Sequence, residues 1–490
     1  MSKPASEATI KNLYDNMGHI IKECFPILRS CINGLSKIDQ LLIMEDTDNN
    51  TYNNYRNVLE LHSFVLYVII EASCAFRADF HSDIPIEKRI NLKYIVFITS
   101  EFFKAVFVSK NKNSLWDNVS KHLSSLKIGA TEINEIQQSI EHYENQYYSK
   151  DKENRDIFVH YDFDLVKLYD YLVNISEEKE ARRLCDFLAI VQPLHNLLNL
   201  YSSIIVIQVQ AENASTLSDS VSDAALYDNL NENLYPSIGD SLQHSGEYLD
   251  KNMQTYSMVE KLPIPITSTL GDAGIERIKE IRDYTKTAIL LHYIYLDLGS
   301  AIRGYLQSES YLEKKWSLIR VNLIIYEGWK KIFKPQFSKE ESLWEQYIYS
   351  PLIQNNDETV KGEVESVNSL LDSYKDYKHL QNIRHKYIHL MDRKKNNLPD
   401  LLDELLKLIP YHELNKSLDF LKLLSRIIKL NTKSMKAVSE AENNYNRQKM
   451  QEPFKQIKIK ILDSKMSEKS KNYLLKIIEE GETKIMSVFN

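Results

Sequence analysis

The sequence predicts an all-α protein, and three observations carry that expectation. Gly and Pro number only 12 each in 490 residues, so few positions break or kink a helix. Leu, Ile, Lys and Glu are abundant, and long stretches lack the clusters of small polar residues that mark turns. Apolar residues recur at helical spacing from the start, as in Leu13, Met17, Ile20, Ile21, Cys24, Ile27, Leu28 and Cys31.

Taken in order, residues 1–45 are expected to be helical and Met44–Asn54 a polar loop. Two long helices follow near Tyr55–Ala78 and Pro85–Ser109, with Pro85 suited to a first turn and Glu87 favoured near a helix N-terminus. Thr131–Tyr148 is amphipathic, with Thr131 the expected N-cap. Phe163–Ile175 and Ala181–Val209 complete a first unit. Residues 211–224 are small and polar and read as a linker. Pro263, Pro265, Gly271 and Gly274 mark a further break. Helices are then expected at Asp283–Gln307, Leu312–Phe333, Glu363–Tyr377, Leu398–Leu408 and Leu414–Ala441. The tail from Pro453 reads as helix, although the alternation of Phe454, Ile457, Ile459 and Ile461 leaves a short strand open.

The length exceeds one ordinary core and suits two domains, 1–210 and 225–490, the second with a basic extension. A net charge of −7 excludes a generally basic nucleic-acid binder, so contacts to RNA would need local cationic patches. One such stretch is Arg447–Lys476, with nine Lys/Arg against three acids; a solvated helix face is the alternative there. Four scattered Cys without a CxxC, and no secretory leader, suggest a reducing cytoplasm and argue against a disulfide framework. No apolar run reaches the ~18–20 residues of a membrane span, and Phe64–Ile70 reads as core helix. Neither a cofactor nor a membrane partner is expected.

The chain is internally duplicated, which is best read before any motif. Shifting Glu71–Phe107 by 226 positions lays it on Asp297–Phe333 without a gap, and ten of 37 positions are identical, among them Arg77/Arg303, Glu87/Glu313 and Glu101/Glu327. A Leu–Trp pair follows in each copy, Leu115–Trp116 and Leu343–Trp344. A weaker echo, LYDN at Leu13–Asn16 and Leu226–Asn229, suggests that the second copy begins near residue 218.

Against this register, Arg155–His160 (RDIFVH) and Arg384–His389 (RHKYIH) fall at matching places. With 15 Arg and 13 His, about 0.4 Arg-x4-His runs are expected by chance. Two in register at a duplication are hard to obtain by accident. On a helix Asp156 can touch His160, and His385 can touch His389, because residues four apart share a face. Arg offers a permanently charged donor fork suited to a phosphate, and His gives or takes a proton near neutrality. RNA supplies its own nucleophile in the 2′-hydroxyl, so such a pocket needs neither a metal nor a protein nucleophile. The alternative is that these Arg and His residues cap helices or pair at the junction between copies.

An Arg, then Asn, Asp or His, then three residues and a His, in an all-helical domain, resembles the HEPN superfamily (higher eukaryotes and prokaryotes nucleotide-binding). Two such motifs in tandem look like the HEPN ribonucleases of toxin, abortive-infection and anti-phage systems. The resemblance implies metal-independent RNA cleavage at a composite site between two units, leaving 2′,3′-cyclic phosphate and 5′-hydroxyl ends. Carried over, Arg155, His160, Arg384 and His389 are the catalytic residues, with Asp156 and His385 orienting them. It also implies an RNA substrate (tRNA, mRNA or phage RNA), an antitoxin or activator, and a monomer forming an intramolecular pseudo-dimer or a homodimer. HEPN toxins often carry Tyr two residues after the His; here Asp162 and Met391 stand there, so the resemblance does not extend to control at that Tyr. A carboxylate beside His160 favours its charged form, and His385 beside His389 a neutral one, which makes His160 the expected acid and His389 the expected base.

Arg77, Glu101, Arg303 and Glu327 recur in both copies and are candidates to support the motif residues. The alternative is an ion pair holding each helix hairpin, for instance Arg77 with Glu87. The 30 Tyr can stack RNA bases or pack at core edges. The alternative to an enzyme is a non-catalytic helical protein that binds RNA or a nucleotide.

Overall fold

The protein is all-α. The computed structural model describes residues 7–44, 50–108, 114–149, 165–210, 224–260, 271–333, 342–353, 357–374, 408 and 410–463, with short pieces at 468–472, 475–476 and 479, and no strand occurs among them. Its helices are α1 (Glu7–Met44), α2 (Asn50–His81), α3 (Pro85–Phe107), α4 (Leu115–Ser125), α5 (Ala130–Tyr143), α6 (Leu165–Asn174), α7 (Glu177–Gln210), α8 (Ala224–Glu260), α9 (Gly271–Gln307), α10 (Tyr311–Phe333), α11 (Ser350–Ile353), α12 (Glu358–Ser373) and α13 (Pro410–Leu462). Single π-helical turns lie at Glu144–Tyr148 and Glu345–Tyr349.

Local chemistry explains the ends of several helices. Pro85 occupies the first turn of α3, where its missing N–H costs nothing. Ser114 caps α4 in a full capping box: its hydroxyl accepts from Asp117 N at 3.1 Å, and Asp117 accepts from Ser114 N at 2.7 Å. That helix is not among those expected from the sequence. Thr131 is not the cap of α5. Gly129 takes that position with φ +63°, in the left-handed region open to glycine, and Thr131 lies inside the first turn.

Other boundaries also differ from expectation. Gly271 and Gly274 lie in the opening turn of α9 rather than in a break, and Pro263 and Pro265 are outside the described residues. The long α8 is a further addition to the expected helices. The strand left open at Phe454–Ile461 is helix, part of the 53-residue α13. Of the helix expected to end at Leu408, residues 398–407 lie outside the described residues.

The helices repeat in order. α1 packs on α2 and α2 on α3, as α8 packs on α9 and α9 on α10; α5 packs on α7 as α12 does on α13. Matching contacts fill matching places. Trp116 Nε1 donates to Gln137 Oε1 at 3.0 Å, and Trp344 Nε1 to Asn368 Oδ1 at 3.1 Å. Tyr143 packs on Phe187 with ring centroids 5.6 Å apart, and Tyr374 on Phe420 at 5.3 Å. One apolar core runs through both copies, from Ile21 and Phe102 to Ile294 and Phe420. α2 is long and apolar enough by composition to cross a bilayer, but 94% of its most apolar window is buried by the other helices.

Candidate functional site

Both copies of the Arg-x4-His motif, Arg155, Asp156 and His160 with Arg384, His385 and His389, lie outside the described residues. Their place in the chain is nonetheless the same in each copy. The first motif falls between α5 and α7, the second between α12 and α13, and those helices carry the matched Tyr–Phe contacts.

Arg77 and Arg303 are described, and the duplication predicts where they sit but not what they touch. Neither bonds to the Glu of its own hairpin. Arg77, on α2, reaches into the second copy: its Nη2 lies 2.7 Å from Glu309 Oε2 and its Nε 3.6 Å from Glu313 Oε2. Arg303, on α9, reaches back into the first copy and pairs with Asp83 at 3.0 Å and with Glu87. Asp83/Glu309 and Glu87/Glu313 are themselves pairs of the 226-residue shift, so the two clamps are one arrangement exchanged between copies. The Arg77–Glu87 pair considered from sequence is therefore corrected to crossed pairs.

Each clamp also contains a Tyr. Arg77 lies over the Tyr14 ring at 4.1 Å and donates to its hydroxyl at 2.9 Å, and Arg303 lies over the Tyr235 ring at 3.8 Å. Gly18 and Gly239, four residues on, let each guanidinium come against the helix; a Cβ at Gly239 would sit 3.3 Å from Arg303 Cζ. The matching segments are therefore Leu13–Gly18 and Leu234–Gly239. This corrects the register of the N-terminal echo, which does not run to Leu226–Asn229. The signal is present in the sequence as Leu-Tyr-x-x-x-Gly in both copies.

The electrostatics repeat as well. Burial pushes the Glu87 carboxyl up to about 7 against the pull of Ser82 and Arg303, and burial likewise raises Glu313 against Arg77. The outer carboxylates move the other way. A hydrogen bond from Arg303 lowers Asp83; burial opposes the fall of Glu309, but bonds from Arg77 and Tyr14 outweigh it. Each guanidinium thus faces one exposed carboxylate and one buried one, which leaves it poorly suited to a further anion.

Between the clamps, equivalent residues meet each other. A Cβ on Gly304 would come 3.0 Å from the Cβ of Ala78, its counterpart, and Gln307 Nε2 donates to the carbonyl of its counterpart His81 at 3.3 Å. Deeper in, Lys93 Nζ lies 3.0 Å from Asp297 Oδ2, and Arg320 Nη1 donates to Asn91 Oδ1 at 2.8 Å. Tyr94 donates to Glu71 Oε1 at 2.6 Å. Glu101 is half-buried and 3.8 Å from Lys104, and Glu327 is buried on α10.

Two other places bear on chemistry. A groove of about 510 Å³ between the start of α3 and α8 is lined by Asp83, Asp240, Glu247 and Asp250 against Arg89 and Arg303, an acidic balance that disfavours a polyanion. In the first copy alone, His62 Nδ1 lies 2.6 Å from Ser202 Oγ and its Nε2 3.0 Å from His195 Nδ1, with Cys31 Sγ 3.5 Å away. Burial drives the His62 pKa down to about 3 and the Cys31 thiol up to about 12, so this cluster is neutral and its thiol inert. Ser202 is buried, and the cluster ties α1, α2 and α7 together. Nothing in the sequence joins His62 to its partners, which stand 31 to 140 positions from it. Among the described residues no group of three or more His, Cys, Asp or Glu is arranged to hold a metal ion. No family model, curated protein or solved structure matches the chain.

Proposed function

We propose that the protein is an endoribonuclease of the HEPN type, with one composite site built from Arg155, His160, Arg384 and His389. The observation that carries this reading is the exchange of clamps between copies. Arg77 grips Glu309 and Glu313 while Arg303 grips Asp83 and Glu87, and Ala78 approaches Gly304. Contacts between equivalent residues are the pattern of an isologous, two-fold interface. On this reading a pseudo-twofold axis passes between Ala78 and Gly304, and each motif occupies the equivalent interval of its copy.

In the proposed reaction the two Arg hold the non-bridging oxygens of one phosphodiester. His389, neutral beside His385, takes the proton from the ribose 2′-hydroxyl, whose oxygen attacks phosphorus. His160, kept charged by Asp156, gives a proton to the departing 5′-oxygen. The products are a 2′,3′-cyclic phosphate and a 5′-hydroxyl. Use as a toxin or anti-phage effector follows from the HEPN resemblance and belongs to the same proposal.

The test is cleavage of total RNA in EDTA by wild type and by His160→Ala/His389→Ala, with product ends analysed. Cutting by wild type alone, leaving cyclic phosphates, is expected. Equal cutting by both proteins assigns the activity elsewhere. RNA binding without cutting by either supports the non-catalytic alternative. For the acid and base assignment, His160→Ala should remove one limb of the pH–rate profile and His389→Ala the other; profiles of identical shape would refute it.

A further inference from the structure

The groove of about 510 Å³ between the start of α3 and α8 has the size of a small-molecule site. Its apolar lining comes from Ile84, Pro85, Ile86 and Pro236. The duplication shows that the fold does not require it. The Tyr14/Tyr235 and Gly18/Gly239 matches carry α1 onto α8 without a gap. In that register Asp240, Gly246, Glu247 and Asp250 stand where the first copy has His19, Phe25, Pro26 and Arg29. The clamp residues are common to both copies, whereas the groove's acids belong to one.

The two walls make opposite demands on a ligand. On α8, Asp240, Gln243, Glu247 and Asp250 are three, four and three residues apart and share one face. Asp240 and Glu247 are exposed with no ion pair among the described residues, while Asp250 accepts from Tyr169 at 2.7 Å. These acids are not arranged to hold a metal ion, so the wall suits an organic cation.

On α3, donors collect instead. Ile84 stands at the N-cap and offers no side-chain acceptor, and Pro85 has no N–H, so no side chain caps the amides of Ile86 and Glu87. Arg89, half-buried on the same helix, has no ion pair among the described residues. Arg303 gives its terminal nitrogens to Asp83 and Glu87, and its buried Nε meets no acceptor. With its charge already met, that N–H needs an oxygen rather than a second counter-ion.

We propose that this groove binds a free basic amino acid of the lysine or arginine class. Its carboxylate lies against Arg89 and the first amides of α3, with an oxygen for Arg303 Nε. Its cations face Asp240 and Glu247, and its methylenes cover the apolar lining. A polyamine brings no oxygen to the donor wall, and a neutral amino acid leaves the α8 acids without a counter-charge. None of the four motif residues takes part, so the inference is independent of the endoribonuclease reading.

The test is isothermal titration calorimetry of the full-length protein with L-lysine and L-arginine. One-to-one binding of either or both is expected; binding of neither overturns the inference. L-Norleucine, which lacks the side-chain cation, should bind at least about tenfold more weakly, as should the decarboxylated amines cadaverine and agmatine. Equal affinity for the amines would remove the carboxylate contact and the proposal with it. Asp240→Asn/Glu247→Gln and, separately, Arg89→Gln should each weaken binding by a similar factor, with urea midpoints confirming that the variants fold. Unchanged affinity in both variants places the binding elsewhere and refutes the site.

Discussion

Arg303 and Glu87 are each 1% exposed in their side chains, so breaking that pair strands a charge in the interior. Arg303→Met is expected to cost about 3–5 kcal/mol in urea unfolding. Glu87→Gln should cost less, because burial already holds the Glu87 pKa near neutrality and a neutral side chain suits that site. Equal losses for the two variants would show that the pair acts as a simple ion bridge. His62 gives a separate pH signature. Its pKa falls from 6.5 to about 3 on folding, so the stability it contributes is complete above pH 6.5 and is lost as pH drops from there toward 3. The slope is at most about 1.4 kcal/mol per pH unit. His62→Gln should flatten that part of the urea midpoint–pH curve; an unaltered curve would mean that other groups set the acid limb.

At the level of helices, the approach of α2 to α9 depends on small residues at one crossing. A Cβ on Gly304 would stand 3.0 Å from Ala78 Cβ, tighter than ordinary packing allows. Gly304→Val should therefore push the helices apart and destabilise by about 1–3 kcal/mol, read from the urea midpoint. A neutral result would place the crossing elsewhere. The same crossing aligns the clamps, since Arg77 and Arg303 stand one residue before Ala78 and Gly304 on their helices. Packing at one point and ion pairing at two thus set the same relation between the copies.

Across the whole molecule, the two copies share a single apolar core and exchange buried charges, so neither has a complete interior alone. Thermal unfolding is expected to be one cooperative transition. Trp116 and Trp344 offer reporters in the two copies, and variants retaining one or the other should give the same midpoint. Two separated midpoints would show independent domains. A single midpoint would make the energetic unit span the linker expected at residues 211–224.

What the sequence determined by itself was periodic: helix content, the 226-residue duplication, and the positions of Arg77, Arg303 and the paired Arg-x4-His motifs. Scarce breakers and spaced apolar residues act locally, so they can be read along the chain. Pairing could not be read that way. Arg77 and Glu87 stand ten residues apart and look like a hairpin bridge, yet Arg77 binds Glu309 and Glu313 more than 200 residues away. The His62–His195–Ser202 cluster belongs to the first copy alone, so no repeat could reveal it. The helix expected from Pro453 is the end of α13, which runs unbroken from Pro410 to Leu462, whereas the sequence pattern divided it after Ala441. Local propensity sets which helices exist; which charges meet is decided by helix packing, because a charge taken out of water must be paired wherever the fold places its partner.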